Sequence, residues 1–277
     1  MTQRRLHPGV LVAAGLLLAA LHTADLLLWT DSYTGFAVAG PAWARFALWL
    51  AALGLPYLPA RWSAAQPAAL RDRNMPLGVA MMVTGLLLGG SGALALPTAR
   101  FVARNPGLVQ GYPPFAAVLD AALPLLAGLW LLVYGVRAML GYGVQRQRLG
   151  GPLMAVVVPL CFLWRLVWRF QFVPAALYRL PCTLRVLSAV AALLFAVVLL
   201  KVFLVPGLPC GHTLFAAGAG CFLLCTGLEL PQTIWEALNG MLVLPDLLAG
   251  LAFGALGVCG LLCAWAACGA DAADTEP

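Results

Sequence analysis

Apolar residues run along this chain in blocks of about twenty, separated by short stretches rich in proline, glycine and arginine. An α-helix rising 1.5 Å per residue needs about 20 residues to cross roughly 30 Å of hydrocarbon, so each block is one crossing long. The pattern predicts helices over 9–29, 41–60, 76–96, 114–136, 152–173, 183–205, 211–230 and 241–268. Stretches such as Val10–Ala20 hold no polar side chain, whereas a membrane β-strand would alternate polar and apolar positions over about ten residues. At that apolarity only a helix satisfies its own backbone hydrogen bonds in lipid. The expected fold is an all-α polytopic transmembrane bundle of eight hydrophobic helices.

Proline marks the expected boundaries at Pro41, Pro76, Pro97, Pro113, Pro114, Pro152, Pro206 and Pro231. At a first helical turn its missing N–H has no intrahelical partner to lose. Pro56, Pro124 and Pro159 fall inside the blocks and predict kinks. The longest polar connections, 61–75, 97–113 and 137–151, leave no room for a folded extramembrane domain, so 1–277 reads as one integral membrane domain. Arg4 and Arg5 precede the first block as in a signal peptide. The block is too long for one, however, and lacks a clean small-residue cleavage site, so it reads as a retained helix.

The segment 152–173 sets the topology, because it carries Arg165 and Arg169 in its last third. If it spans and the N-terminus is inside, nine basic residues lie inside and seven outside; if it lies in the interface or re-enters, twelve lie inside and four outside. The alternative to eight spans is therefore seven spans plus one interfacial or re-entrant helix. Either way the chain is expected as a multi-pass protein of the plasma (cytoplasmic) membrane with a cytoplasmic N-terminus.

Composition narrows the function classes. With 63% hydrophobic and 9% charged residues, the chain falls far below the roughly 25% charge that a water-soluble domain carries. Its net charge of +6 comes almost wholly from arginine, 15 of 16 basic residues. Nucleic-acid binding would need those arginines on a soluble face, which this pattern does not provide.

Ionisable groups inside hydrocarbon are costly and mark candidate sites. His22 and Asp25 stand i,i+3 on one face of the first helix and suit a proton relay or cation site. Asp120 lies six residues past Pro114 among apolar neighbours and needs a partner, with Arg165, Arg169, Thr84 and Ser91 as candidates. Glu229, with Glu236 following, closes the seventh block, and Asp246 opens the eighth, so these acids can line one mouth of the bundle. Arg165 and Arg169 alternate with Trp164 and Trp168 at i,i+4 spacing, a pattern that suits lipid headgroups or another anion.

Cys221 with Cys225 and Cys259 with Cys263 form two i,i+4 thiol pairs that could converge on a soft metal. The spacing is not that of a metal-binding loop, and close helix packing is the plainer reading, so no metal and no cofactor are expected. Gly85 with Gly89 and Gly250 with Gly254 fit the small-xxx-small pattern of close helix contacts, within the bundle, with a second copy or with another membrane protein. The lipid bilayer is the one partner the composition itself requires. Phosphate-binding, metalloprotease and nucleophile-elbow motifs are missing, which favours a non-catalytic protein. Three classes remain: a small-solute or ion transporter, a non-catalytic accessory or regulatory subunit, and an intramembrane enzyme acting on lipid with Arg165 and Arg169 holding a phosphate. A transporter requires at least two ionisable groups facing one cavity near the midplane of the bundle, and a scaffold requires a tightly filled interior with charges only at the rims.

Overall fold

The computed structural model describes residues 7–65, 67, 70, 73–105, 113–140, 152–171, 180–204 and 208–269. These form eight helices: α1 (Pro8–Trp29), α2 (Ala42–Gly54), α3 (Met75–Arg104), α4 (Pro114–Leu140), α5 (Pro152–Gln171), α6 (Leu180–Leu204), α7 (Gly211–Leu238) and α8 (Leu244–Ala267). Six of them, α1, α3, α4, α6, α7 and α8, are long and apolar enough to cross a membrane. The loop arginines Arg4, Arg5, Arg71, Arg146 and Arg148, and the turn at 141–143, lie outside the described residues.

Backbone hydrogen bonds identify the two ends of the bundle. At one end Ala64 N–H donates to Ala267 O and Gly211 N–H to Ala65 O, each at 2.8 Å, and Asn74 N–H donates to Ala138 O at 3.1 Å. At the other, Gly35 lies against Met241 and Pro181. Successive helices therefore alternate in direction between a His7 end and a Tyr33 end. Helix α2 covers 13 residues, and the chain then continues through 3-10 turns Leu55–Tyr57 and Pro59–Trp62 to reach the His7 end. Gly54, Pro56 and Pro59 explain the change, since proline supplies no backbone donor for an α-helical ladder. Helix α5 runs antiparallel to α4 and α6, with Arg165 beside Asp120 near the start of α4 and Arg169 beside Arg185 near the start of α6. It stands among the crossing helices and does not lie across their ends.

Two expected boundaries are corrected. Helix α3 continues through Pro97 to Arg104, and α7 continues through Pro231 to Leu238. Inside a bundle the freed backbone groups are accommodated locally by neighbouring helices and by changes of helical type. In α7 the accommodation is visible: Phe222–Glu229 is π-helical, Leu230 N–H reaches back five residues to Cys225 O, and Pro231 follows directly.

Lipid offers little hydrophobic drive between helices, so small residues that allow close approach hold such bundles together. A Cβ placed on Gly85 would lie 2.7 Å from Gly128 O, and one on Gly92 would lie 2.6 Å from Ala121 O, which places the α3 and α4 backbones in contact along several turns. Gly218 and Gly260 bring α7 and α8 equally close, with a Cβ on either 2.5 Å from the other's carbonyl oxygen. Gly250 meets Thr233, and Gly254 meets Leu230. Gly85, Gly250 and Gly254 thus meet neighbouring helices of the same chain, whereas a Cβ on Gly89 would meet nothing within 4 Å. Around them Leu88, Leu131, Phe162, Phe195 and Phe253 fill the core, while Leu16, Leu17, Leu27 and Leu28 of α1 point outward.

Candidate functional site

Toward the Tyr33 end, the apolar core gives way to a layer of charged side chains on five helices. Helical spacing makes the layer possible. Arg165 and Arg169 stand i,i+4 on α5, Arg185 and Ser188 i,i+3 on α6, and Glu229, Gln232 and Glu236 at i, i+3 and i+7 on α7, so each set shares one face. Glu229 lies nine residues before the end of α7, roughly 13 Å along the helix at its rise per residue.

The pairing is reciprocal across helices. Arg165 Nη1 lies 3.0 Å from Asp120 Oδ1. Arg169 grips Glu229 through both terminal nitrogens, Nη2 to Oε1 at 2.5 Å and Nη1 to Oε2 at 3.2 Å. Arg169 Nη1 also donates to Arg185 O at 2.6 Å, and its guanidinium stacks 4.1 Å over the Phe253 ring. Ser188 Oγ donates to Glu229, and Arg185 pairs with Glu236, which accepts a second bond from Gln232 Nε2 at 2.8 Å. Glu229 has no exposed surface. A buried charge is tolerable only when paired and hydrogen-bonded; Glu229 and Glu236 meet both conditions, whereas Asp120 and Arg165 form an ion pair in which Asp120 Oδ1 and Arg165 Nε have no hydrogen-bond partner.

Between α5, α6, α7 and α8 this layer encloses a cavity of about 100 Å³ lined by Arg165, Trp168, Arg169, Arg185, Glu229 and Asp246. That is about three waters' share of liquid volume. Asp246 sits exposed in the first turn of α8, where a helix N-terminus favours its charge. It makes no ion pair among the described residues. Among the described residues the lining carries three arginines and two carboxylates, and Asp120 and Glu236 pair with Arg165 and Arg185 from behind it.

The residues singled out from sequence are distributed as follows. Asp120, Glu229, Asp246, Arg165 and Arg169 gather at this one site. Arg165 and Arg169, expected at headgroup depth, turn into the bundle, because carboxylates on α4 and α7 face them; Arg165 is 6% exposed. Asp25 is separate: it forms a bidentate pair with Arg45 of α2, Nη2 to Oδ1 at 2.6 Å and Nε to Oδ2 at 2.8 Å. His22 is buried between α1, α2 and α7, its ring 6.3 Å from that of Trp49. Arg45, Arg185, Ser188 and Gln232 escaped the sequence reading. The signal available was the count of intramembrane acids, each of which demanded a cation that only a contact map could assign.

The thiols are free and buried: Cys221 Sγ lies 3.8 Å from Cys225 Sγ, and Cys259 Sγ lies 3.6 Å from Thr84 Oγ1. Among the described residues no three His, Cys, Asp or Glu side chains are grouped to hold a metal.

Fold and site together define a polytopic membrane helix bundle with a charged cavity beneath one end. Compared with protein-family models, with curated proteins and with solved structures, the chain matches none.

Proposed function

We propose that this bundle moves a small inorganic cation or a proton across the membrane, with the charged cavity as its binding site. The observation that carries the reading is the convergence of five ionisable side chains from four helices on one small cavity inside the bundle. Intramembrane charge is expensive, and ion pathways and proton relays are among its uses. Asp246, a lining carboxylate with no ion pair among the described residues, favours a cation over an anion, and the volume admits an ion with a few waters. Toward the His7 end α7 and α8 pack closely, through the approach of Gly218 to Gly260 and the buried Cys263 and Ala264. The π-helical turn that ends at Glu229 supplies an irregular, adjustable segment at the site. The phosphate-holding alternative loses support, since Arg165 and Arg169 are already engaged by Asp120 and Glu229.

Orientation follows from charge. The eight-span count places seven basic residues on the Tyr33 side. With nine on the other side, the His7 end is cytoplasmic in a plasma membrane by the positive-inside rule.

The test is flux. Purified protein in liposomes with an internal pH dye should dissipate an imposed proton or sodium gradient, and Asp246→Asn should slow it at least about tenfold. Flux equal to empty liposomes removes the reading. The ion pairs of Asp25, Asp120, Glu229 and Glu236 with arginines favour a second reading, a membrane accessory subunit locked by its ion pairs. That protein would show no flux and would copurify with a membrane partner.

A further inference from the structure

On the outer side of the bundle α1, α2 and α7 line a second cavity, of about 310 Å³, within the range of small-molecule sites. Its origin is the short α2. Asp25 with Arg45 and the edge contact of His22 with Trp49 hold α1 and α2 together toward the Tyr33 end. Toward the His7 end α2 gives way after Gly54 to 3-10 turns, and the gap is walled by Pro56 and Pro59 of those turns, by Leu11 and Ala14 of α1 and by Phe215 and Leu223 of α7. Ala14 and Leu55 of the lining are exposed, so the gap is a groove open to the surroundings. Phe215 and Leu223 stand eight residues apart, about 12 Å along α7. Spread over that length, the volume corresponds to a cross-section of about 25 Å², too narrow for a helix about 10–12 Å across and suited to a single slender chain.

Polarity divides along the groove. Among the described lining residues only His7 and Cys268 carry a polar side-chain atom, and both stand at the His7 end; the rest is hydrocarbon. Arg61 belongs to the same turn as Pro59. It is exposed, makes no ion pair among the described residues, and its guanidinium lies 4.6 Å over the Trp62 ring. A cation on an indole face at the end of a spanning segment suits the depth of lipid headgroups.

We propose that this groove binds one acyl chain of an anionic phospholipid, with the headgroup phosphate at Arg61. The groove lies within the length of the crossing helices α1 and α7, where hydrocarbon is the solvent. Its occupant is therefore apolar along the walls and anionic at the mouth, the division of an acidic phospholipid. Lipid offers little hydrophobic drive, so the chain is held by van der Waals packing against Pro56, Phe215 and Leu223, and the planar guanidinium suits a phosphate. The site stands apart from the charged cavity and does not depend on the cation reading.

The test is native mass spectrometry of the full-length protein in detergent, titrated with dioleoyl phosphatidylglycerol or dioleoyl phosphatidylcholine. The first phosphatidylglycerol should bind at least about fivefold more tightly than the first phosphatidylcholine, the effect of one arginine near an anionic headgroup. Ala14→Phe, which sets a ring into the groove from an exposed position, should weaken the first binding event of both lipids at least about fivefold. Ala20→Phe, exposed on α1 outside the groove, should leave both as in the wild type. Arg61→Gln should abolish the preference and leave phosphatidylcholine binding unchanged. Equal affinity of the wild type for the two lipids overturns the proposal without any variant, so a variant that misfolds does not protect it. Equal effects of Ala14→Phe and Ala20→Phe overturn it too, as does a preference that survives Arg61→Gln. A dimer that Ala14→Phe disperses while lipid binding is unmoved would assign the groove to a second copy instead.

Discussion

Replacing Glu229 by Gln removes one negative charge and almost no volume from a position with no exposed surface. Arg169 then keeps its charge in the interior, its side chain 11% exposed. Breaking one half of a buried pair costs about 3–5 kcal/mol, because the remaining charge is uncompensated. Here Arg169 retains Arg185 O at 2.6 Å, Ser188 Oγ at 3.2 Å and the Phe253 ring face, so the loss should fall near the lower bound, about 3 kcal/mol. For a chain of this size that is roughly 6–12 °C in the unfolding midpoint. Thermal unfolding in mild detergent, followed by tryptophan fluorescence, measures it. Arg169→Gln combined with Glu229→Gln should recover at least half of the loss, since no net charge stays buried. Asp246→Asn, exposed at the cavity mouth, should move the midpoint by less than about 2 °C. A Glu229→Gln midpoint within about 2 °C of wild type, or a double variant less stable than either single one, would refute the argument that this pair compensates itself.

Asp120→Asn should lose stability that Arg165→Gln restores in the double variant, and additive losses would mean that the 3.0 Å contact carries no coupling. Gly85→Leu, whose Cβ would fall 2.7 Å from Gly128 O, should separate α3 from α4 and lower stability by about 1–3 kcal/mol or more; an unchanged midpoint would show that the two backbones are not in contact. Cys210 and Cys268 should react with a membrane-impermeant thiol reagent from one side and a cysteine at Tyr33→Cys from the other. Burial raises both native thiols above their ordinary range, so their labelling should be slow at neutral pH and accelerate as the solution is made alkaline. Asp31, in the exposed α1–α2 loop, is held below the usual carboxylate range by the Thr34 hydroxyl and the Tyr33 N–H. The sign follows: the folded loop gains stability above the unfolded aspartate value of about 3.9 and loses it as pH falls through the lower folded value. Thr34→Val should bring the Asp31 midpoint back up in a 13C carboxyl titration.

Much of the helical framework was legible in the sequence, because spanning helices are local objects. Each block's apolar length, its polar flanks and its backbone bonds depend on residues a few positions apart, and eight blocks became eight helices. Where proline was read as punctuation the local argument failed: Pro97 and Pro231 sit within longer helices, and the π turn ending at Glu229 absorbs the second. Asp120 announced its need for a cation by depth alone, and Arg165 was among the candidates. Which of several arginines answers which acid is not a local property. It depends on the rotation of α4, α5, α6 and α7 about their axes and on their order around the bundle. Close glycine contacts such as Gly85 with Gly128 and Gly218 with Gly260 help set both. The same spacing of Arg165, Trp168 and Arg169 serves a headgroup belt when it faces lipid and an ion-pair layer when it faces Asp120 and Glu229. Only packing chose between them, because an acid on a neighbouring helix, invisible to helical periodicity, lowers the cost of turning an arginine inward.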